Sequence, residues 1–179
     1  RYALMLGEDG MIKDDGIVCK INDQHFIVTT TTGGAAKVLS DMEEYAQTEW
    51  PHLNVYLNSI TEQFSTFNIS GPKSRAIMRK VFSNIDFSND KFPFMSFKKV
   101  NYLDTEVRIL RASFTGELGY EVYISPKYGL ELWEKFFRYG ENLGLIPYGT
   151  ETMHLLRAEK GYIVVGQDTD GTVTPLDLN

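Results

Sequence analysis

The stretch Glu8-Asp-Gly-Met-Ile-Lys-Asp-Asp-Gly-Ile-Val18 decides the fold class. It opens on turn residues and passes into an apolar, β-branched run, and a second apolar run, Tyr2-Ala-Leu-Met-Leu6, precedes it. Two such runs joined by Gly7-Glu-Asp-Gly10 predict a hairpin whose second strand extends over Met11 to Ile21. Beyond it, Asn22-Asp23 supplies another turn and His25-Phe-Ile-Val-Thr-Thr30 a third strand, so residues 1 to 31 read as a three-stranded meander. Then the period changes. From Ala35 to Thr48, the residues Ala35, Val38, Leu39, Met42, Tyr45 and Ala46 keep helical spacing, with Thr32 placed to cap the helix.

Further along, Val55-Tyr-Leu-Asn-Ser-Ile60 and Gln63-Phe-Ser-Thr-Phe-Asn-Ile69 read as strands. The second runs into Ser70-Gly71-Pro72 and a helix through Val81, with Pro72 in the first helical turn, where its missing N–H costs nothing. Strands are predicted around Val100-Asn-Tyr-Leu103, Glu106 to Arg111 and Tyr120 to Ile124. Gly129 to Gly140 reads as a helix with Leu130, Trp133, Phe136 and Phe137 on one face. A last helix follows Gly149, capped by Thr150 or Thr152, with Met153, Leu155, Leu156 and Ala158 as its apolar contacts. Strands that look antiparallel, interspersed with helices and without regular βαβ alternation, define an α+β class with mixed or antiparallel sheets.

With 179 residues and 42% hydrophobic content, the chain has the size of one globular domain or two very small ones. A domain of that size removes about 70% of its unfolded surface from water and needs neither a disulfide nor a structural metal. Cys19 has no second cysteine to pair with, and His25, His52 and His154 are too scattered for a metal site. A net charge of −6 with no basic cluster larger than Lys98-Lys99 argues against a nucleic-acid partner. No apolar run approaches the roughly 20 residues of a membrane span. A soluble, cytoplasmic setting without membrane partners is therefore expected. The missing initiator Met and the stop at Pro175-Leu-Asp-Leu-Asn179 read as a fragment of a longer chain.

Three features carry possible chemistry. Asp14 and Asp15 lie in a predicted strand where successive side chains take opposite faces; either both are solvated at a turn edge, or one faces a core or pocket while the other looks out. Phe114-Thr-Gly-Glu-Leu-Gly-Tyr-Glu121 is either a plain glycine hairpin with solvated glutamates or a turn that lets backbone approach a ligand. Arg157-Ala-Glu-Lys-Gly161 is either a cationic last helical turn with a glycine stop or a grip on a ligand carboxylate. Asp168-Thr-Asp-Gly171 is no calcium loop, because the bidentate Glu and the exit helix are missing.

Taken in order, these motifs resemble the folate-binding aminomethyltransferase fold of the glycine cleavage T-protein family, from Arg1 to Asn179. The quoted Asp-Asp strand, Asn68-Ile-Ser-Gly-Pro-Lys73, Ser113-Phe-Thr-Gly-Glu-Leu-Gly-Tyr-Glu121 and Arg157-Ala-Glu-Lys-Gly161 carry the match. Thr29-Thr-Thr-Thr32, Trp50-Pro51 ahead of Ser59-Ile-Thr-Glu-Gln63, and Pro147-Tyr-Gly-Thr150 resemble the family branch found in sarcosine oxidase alpha subunits. The resemblance implies that residues 1–179 are a partial folate-binding domain, with the family's amino-terminal part and final small β-barrel lying outside them. It also implies that Asp15 is the catalytic carboxylate, that Glu121 grips the pterin with Glu117 as the second choice, and that Tyr2 and Arg157 contact folate, Arg157 at its anionic tail. Phe114 and Cys19 stand where the T-proteins carry tyrosines.

The activity so implied is transfer of a one-carbon unit, at the iminium level, to tetrahydrofolate. In the oxidase branch the iminium comes from flavin oxidation of sarcosine and the product is 5,10-methylenetetrahydrofolate. The partners would then be folate and the other oxidase subunits. Flavin and NAD sites are expected elsewhere in the complex, since no Gly-Xaa-Gly-Xaa-Xaa-Gly follows a strand. A stand-alone folate-dependent aminomethyl or methyl transferase and a non-catalytic folate-binding module are the alternatives.

Overall fold

Tyr2–Leu6 (β1), Ile12–Asn22 (β2) and His25–Val28 (β3) pair in that order as the predicted antiparallel meander. A computed structural model describes residues 1–178 of the chain. The turn from β1 to β2 closes through the Gly10 N–H on the Gly7 carbonyl at 2.9 Å, with Gly10 at a φ of 79°, a conformation that glycine adopts without steric cost. Ala35–Thr48 (α1) follows over the predicted residues. Its cap differs: Gly34, not Thr32, is the N-cap, with no side-chain capping hydrogen bond, and the Gly34 N–H donates to Thr31 Oγ1 at 3.2 Å. Met5, Asp14, Val38 and Met42 line a shared cleft where β1 and β2 face α1. With the segment from Ile163 onward, residues up to Ser59 form one compact unit, tied by the Ile12 N–H to the Val173 carbonyl at 2.9 Å.

Residues Ile60–Tyr162 form a second unit. Its sheet contains Ser65–Ser70 (β4), Phe97–Tyr102 (β5), Thr105–Leu110 (β6) and Gly119–Ile124 (β7), all antiparallel, in the order β4-β7-β6-β5. Ser74–Val81 (α2) and Gly129–Gly140 (α3) cover one sheet face. Val107, Ile109, Tyr120, Val122 and Ile124 point into that layer and meet Ile77, Met78, Leu132 and Phe136. Phe82, Phe87 and Phe92 complete the core, and Phe87 meets Tyr120 edge-on at 5.4 Å, a favoured aromatic geometry. Thr150–Glu159 (α4) is the last α-helix among the described residues.

Several expectations are corrected. Val55 to Ile60 forms no strand and Thr61–Gln63 is a 3-10 turn, because a β-prone run without a ladder partner has nothing to satisfy its backbone. Pro72 lies one residue ahead of the N-cap, Lys73, rather than in the first turn of α2. Of the predicted α3 face, Phe136 lies in the core together with Leu132, between the buried Gly129 and Gly140, whereas Leu130 is 71% exposed and Trp133 43%. Neither Thr150 nor Thr152 caps α4, which starts from Gly149, and Leu155 points outward.

Candidate functional site

In β2, Asp15 lies opposite Leu4, while Ile17, two residues on, lies opposite Tyr2. Tyr2 and Asp15 are therefore diagonal neighbours on one sheet face, a separation that a long aromatic side chain bridges. The Tyr2 hydroxyl donates to Asp15 Oδ2 at 2.8 Å. Burial raises the Asp15 carboxyl above its ordinary range; the Tyr2 hydrogen bond pulls it back, and the neighbouring Asp14 charge pushes it up again. Tyr2 is affected in turn, its phenol driven upward by burial and then by the Asp15 oxygen. A half-buried carboxyl with a raised pKa, held in one orientation, is a stronger proton acceptor than a solvated one.

Asp14 takes the opposite face, as the strand alternation predicted, and is only 2% exposed. Its Oδ1 accepts the Asp15 N–H at 2.7 Å and the Thr31 N–H at 3.1 Å, and its Oδ2 accepts the Thr31 hydroxyl at 3.0 Å. The reading in which both acids are solvated at a turn edge is thereby excluded. Sequence reasoning missed Thr31 as the partner, and no local pattern could have found it, since seventeen residues separate it from Asp14.

In the second unit, Glu121 enters β7 opposite Asn68 of β4, on the sheet face away from α2 and α3. The Tyr123 hydroxyl donates to Glu121 Oε2, an interaction between residues two apart on one strand face that alternation alone could have flagged. Burial raises the Glu121 carboxyl, with the Tyr123 hydrogen bond opposing it. Beside it, Asn68 Oδ1 accepts from the Tyr148 hydroxyl at 3.2 Å and from the Ser70 hydroxyl. A desolvated carboxylate whose Oε1 remains for further donors fits a ligand edge rich in N–H groups.

Glu117 is exposed at the turn, unlike Glu121. Gly116 has a φ of 74°, and a Cβ there would come within 1.9 Å of the Lys160 side chain, so the Thr-Gly-Glu turn packs directly on the Arg157–Gly161 segment. Arg157 is half-buried at the end of α4, where its Nη1 donates to the Tyr162 carbonyl at 3.0 Å while its own carbonyl accepts the Tyr162 N–H at 3.0 Å. Among the described residues, no group of three His, Cys, Asp or Glu side chains could hold a metal, and no helix is long and apolar enough to cross a membrane.

The chain belongs to the GCVT N-terminal domain family, whose profile matches residues 1–179. It is 52% identical to the sarcosine oxidase subunit alpha of Corynebacterium sp. strain U-96, over 99% of this chain and 18% of that protein. It is 41% identical to the corresponding subunit of Rhizobium meliloti strain 1021, again over 99% of the chain and 18% of the relative. An aminomethyltransferase of Chlorobium limicola is 34% identical over 99% of the chain and 48% of its own length. The crystal structure of the glycine cleavage system aminomethyltransferase T from Bartonella henselae matches 99% of this chain and 45% of that one, with a TM-score of 0.80 and 23% identity, which bears out the expected fold. The chain thus spans about half of the aminomethyltransferases it matches and under a fifth of the oxidase subunits.

Proposed function

We propose that residues 1–179 are part of the folate-binding domain of a sarcosine oxidase alpha subunit and take part in passing the one-carbon unit of an oxidised N-methyl amine to tetrahydrofolate. The observation that carries this reading is the Tyr2–Asp15 pair: the residue matched to folate contact and the residue matched to catalysis are in hydrogen-bond contact at 2.8 Å. Greater identity to the oxidase subunits than to the aminomethyltransferase favours the oxidase branch over a stand-alone transferase.

In this reading Asp15 stabilises the cationic iminium carbon and accepts the proton that a folate nitrogen loses as its lone pair forms the new C–N bond. The C=N π pair returns to the amine nitrogen, leaving an aminomethyl adduct; the second folate nitrogen then bonds the same carbon as the carbon–amine bond breaks, the amine leaves with that bond's electron pair and the proton the second nitrogen loses, and the product is 5,10-methylenetetrahydrofolate. Glu121 holds the pterin N–H edge, Tyr2 orients Asp15 and contacts folate, and Arg157 meets the anionic tail, with Glu117 at the rim of the turn. The oxidant is a flavin in another part of the assembly, with NAD likewise elsewhere, and the other oxidase subunits are the partners.

The test uses the full-length subunit in its complex. Asp15→Asn should retain tetrahydrofolate binding by calorimetry while turnover to 5,10-methylenetetrahydrofolate falls about a hundredfold, the usual scale of a lost general base. Glu121→Gln and Arg157→Ala should each weaken binding. Undiminished transfer by Asp15→Asn would overturn the catalytic assignment, and folate binding indifferent to both other changes would overturn the pocket.

A further inference from the structure

Asp15 sits in a segment held on its open edge by the threonine run instead of a strand. On one side β1 pairs with it through Leu4. On the other, β3 pairs only with Val18 to Asn22, so residues 14 to 17 have no third strand beside them. The threonine run takes its place. The Ile17 N–H donates to Thr29 Oγ1 at 2.9 Å and the Thr29 N–H to the Ile17 carbonyl at 3.0 Å, while the Thr31 amide and hydroxyl both bond to Asp14. Between these two clamps the Asp15 N–H itself donates to Asp14 Oδ1 at 2.7 Å.

Two glycines make the clamp possible. A Cβ at Gly16 would lie 1.7 Å from the Thr29 carbonyl oxygen, and one at Gly34 would lie 1.6 Å from Asp14 Oδ2. The close approach at Gly34 also puts the Asp14 carboxylate against the amino-terminal end of α1, where the helix dipole offsets a negative charge. A carboxylate buried this deeply is costly unless fully hydrogen-bonded, and its three donors come from the amide of Asp15 and from Thr31. The resulting geometry fixes the backbone on both sides of Asp15, and with it the direction of its Cα–Cβ bond.

We propose that Asp14, with Thr31 and Thr29, is a positioning set that orients the Asp15 carboxylate for proton transfer. This inference rests on the assignment of Asp15 made above. It gives the threonine run a role in the reaction, which the family resemblance left unassigned.

The experiment compares Thr31→Val, Thr31→Ser and Asp15→Asn in the full-length complex, reading kcat, KM for tetrahydrofolate, and the ratio of methylenetetrahydrofolate to free formaldehyde. Misplacing a reacting group by about 1 Å costs up to roughly a hundredfold. Thr31→Val should therefore lower kcat about ten- to a hundredfold with KM within about twofold, and divert product to formaldehyde as water captures the iminium. Thr31→Ser, which keeps the hydroxyl, should restore both rate and product ratio. If Asp15→Asn abolishes transfer while Thr31→Val transfers like the unaltered protein, the positioning inference is wrong and the assignment of Asp15 stands. If Asp15→Asn transfers normally, the assignment fails and the inference with it. Should Thr31→Val not fold, hydrogen exchange at the Asp15 amide decides: slow exchange that Thr31→Ser preserves supports the clamp, and fast exchange in the unaltered protein overturns it.

Discussion

Glu121 lies on a strand whose neighbours Tyr120 and Val122 are wholly in the core, while its own side chain faces the other side of the sheet. Because burial raises its pKa, the native state holds the Glu121 proton more tightly than the unfolded chain does. That contribution to stability is complete at pH values below the ordinary carboxyl range and is lost as pH rises through the raised value. Glu121→Gln keeps an acceptor for the Tyr123 hydroxyl and removes the charge. Its melting temperature should match the parent at acid pH and exceed it at neutral pH, a difference that calorimetry across pH would measure, alongside weaker folate binding. At this scale the sequence was informative: alternation separated Asp14 from Asp15 and placed Glu121 at the start of a strand. The partners Thr31 and Tyr148 were invisible, since each contact depends on how distant segments fold back.

Helix α3 shows what periodicity can and cannot decide. Its bounds were legible, but two adjacent apolar stripes compete for the core: Leu132 with Phe136, and Leu130 with Trp133 and Phe137. The sheet beneath selects the first, and Phe136 is left 1% exposed against Phe67 and Phe82. Phe136→Ala should cost about 3–5 kcal/mol in urea unfolding, the range for a deleted core aromatic, whereas Leu130→Ala should stay within about 0.5 kcal/mol. Equal losses would mean that the exposed stripe is also packed. The same limit explains Val55 to Ile60, whose strand propensity was real but which finds no ladder partner among the described residues. By contrast, the meander and the three strands β5 to β7 were legible because each pairs with a neighbour close in sequence.

The second unit is continuous from Ile60 to Tyr162, and its core is drawn wholly from those residues. A peptide of residues 60–162 should therefore unfold in one cooperative transition by circular dichroism and by Trp133 fluorescence together; non-coincident curves would contradict a self-sufficient core. The first unit is assembled from two separated stretches, so deleting the residues after Tyr162 should lower the unfolding midpoint reported by Trp50. Nothing local in the sequence announced this division, because it depends on the late return of Val173 to Ile12. That return sets an order of birth on the ribosome. At about 5–20 residues per second, the meander leaves the exit tunnel ahead of the second unit but waits for Val173, while everything from Ile60 to Tyr162 emerges and packs in the interval. Within these residues the meander is thus made before the second unit and completed after it, and nascent chains stalled before Ile163 should carry a protease-resistant stretch over Ile60–Tyr162 and a cleavable meander.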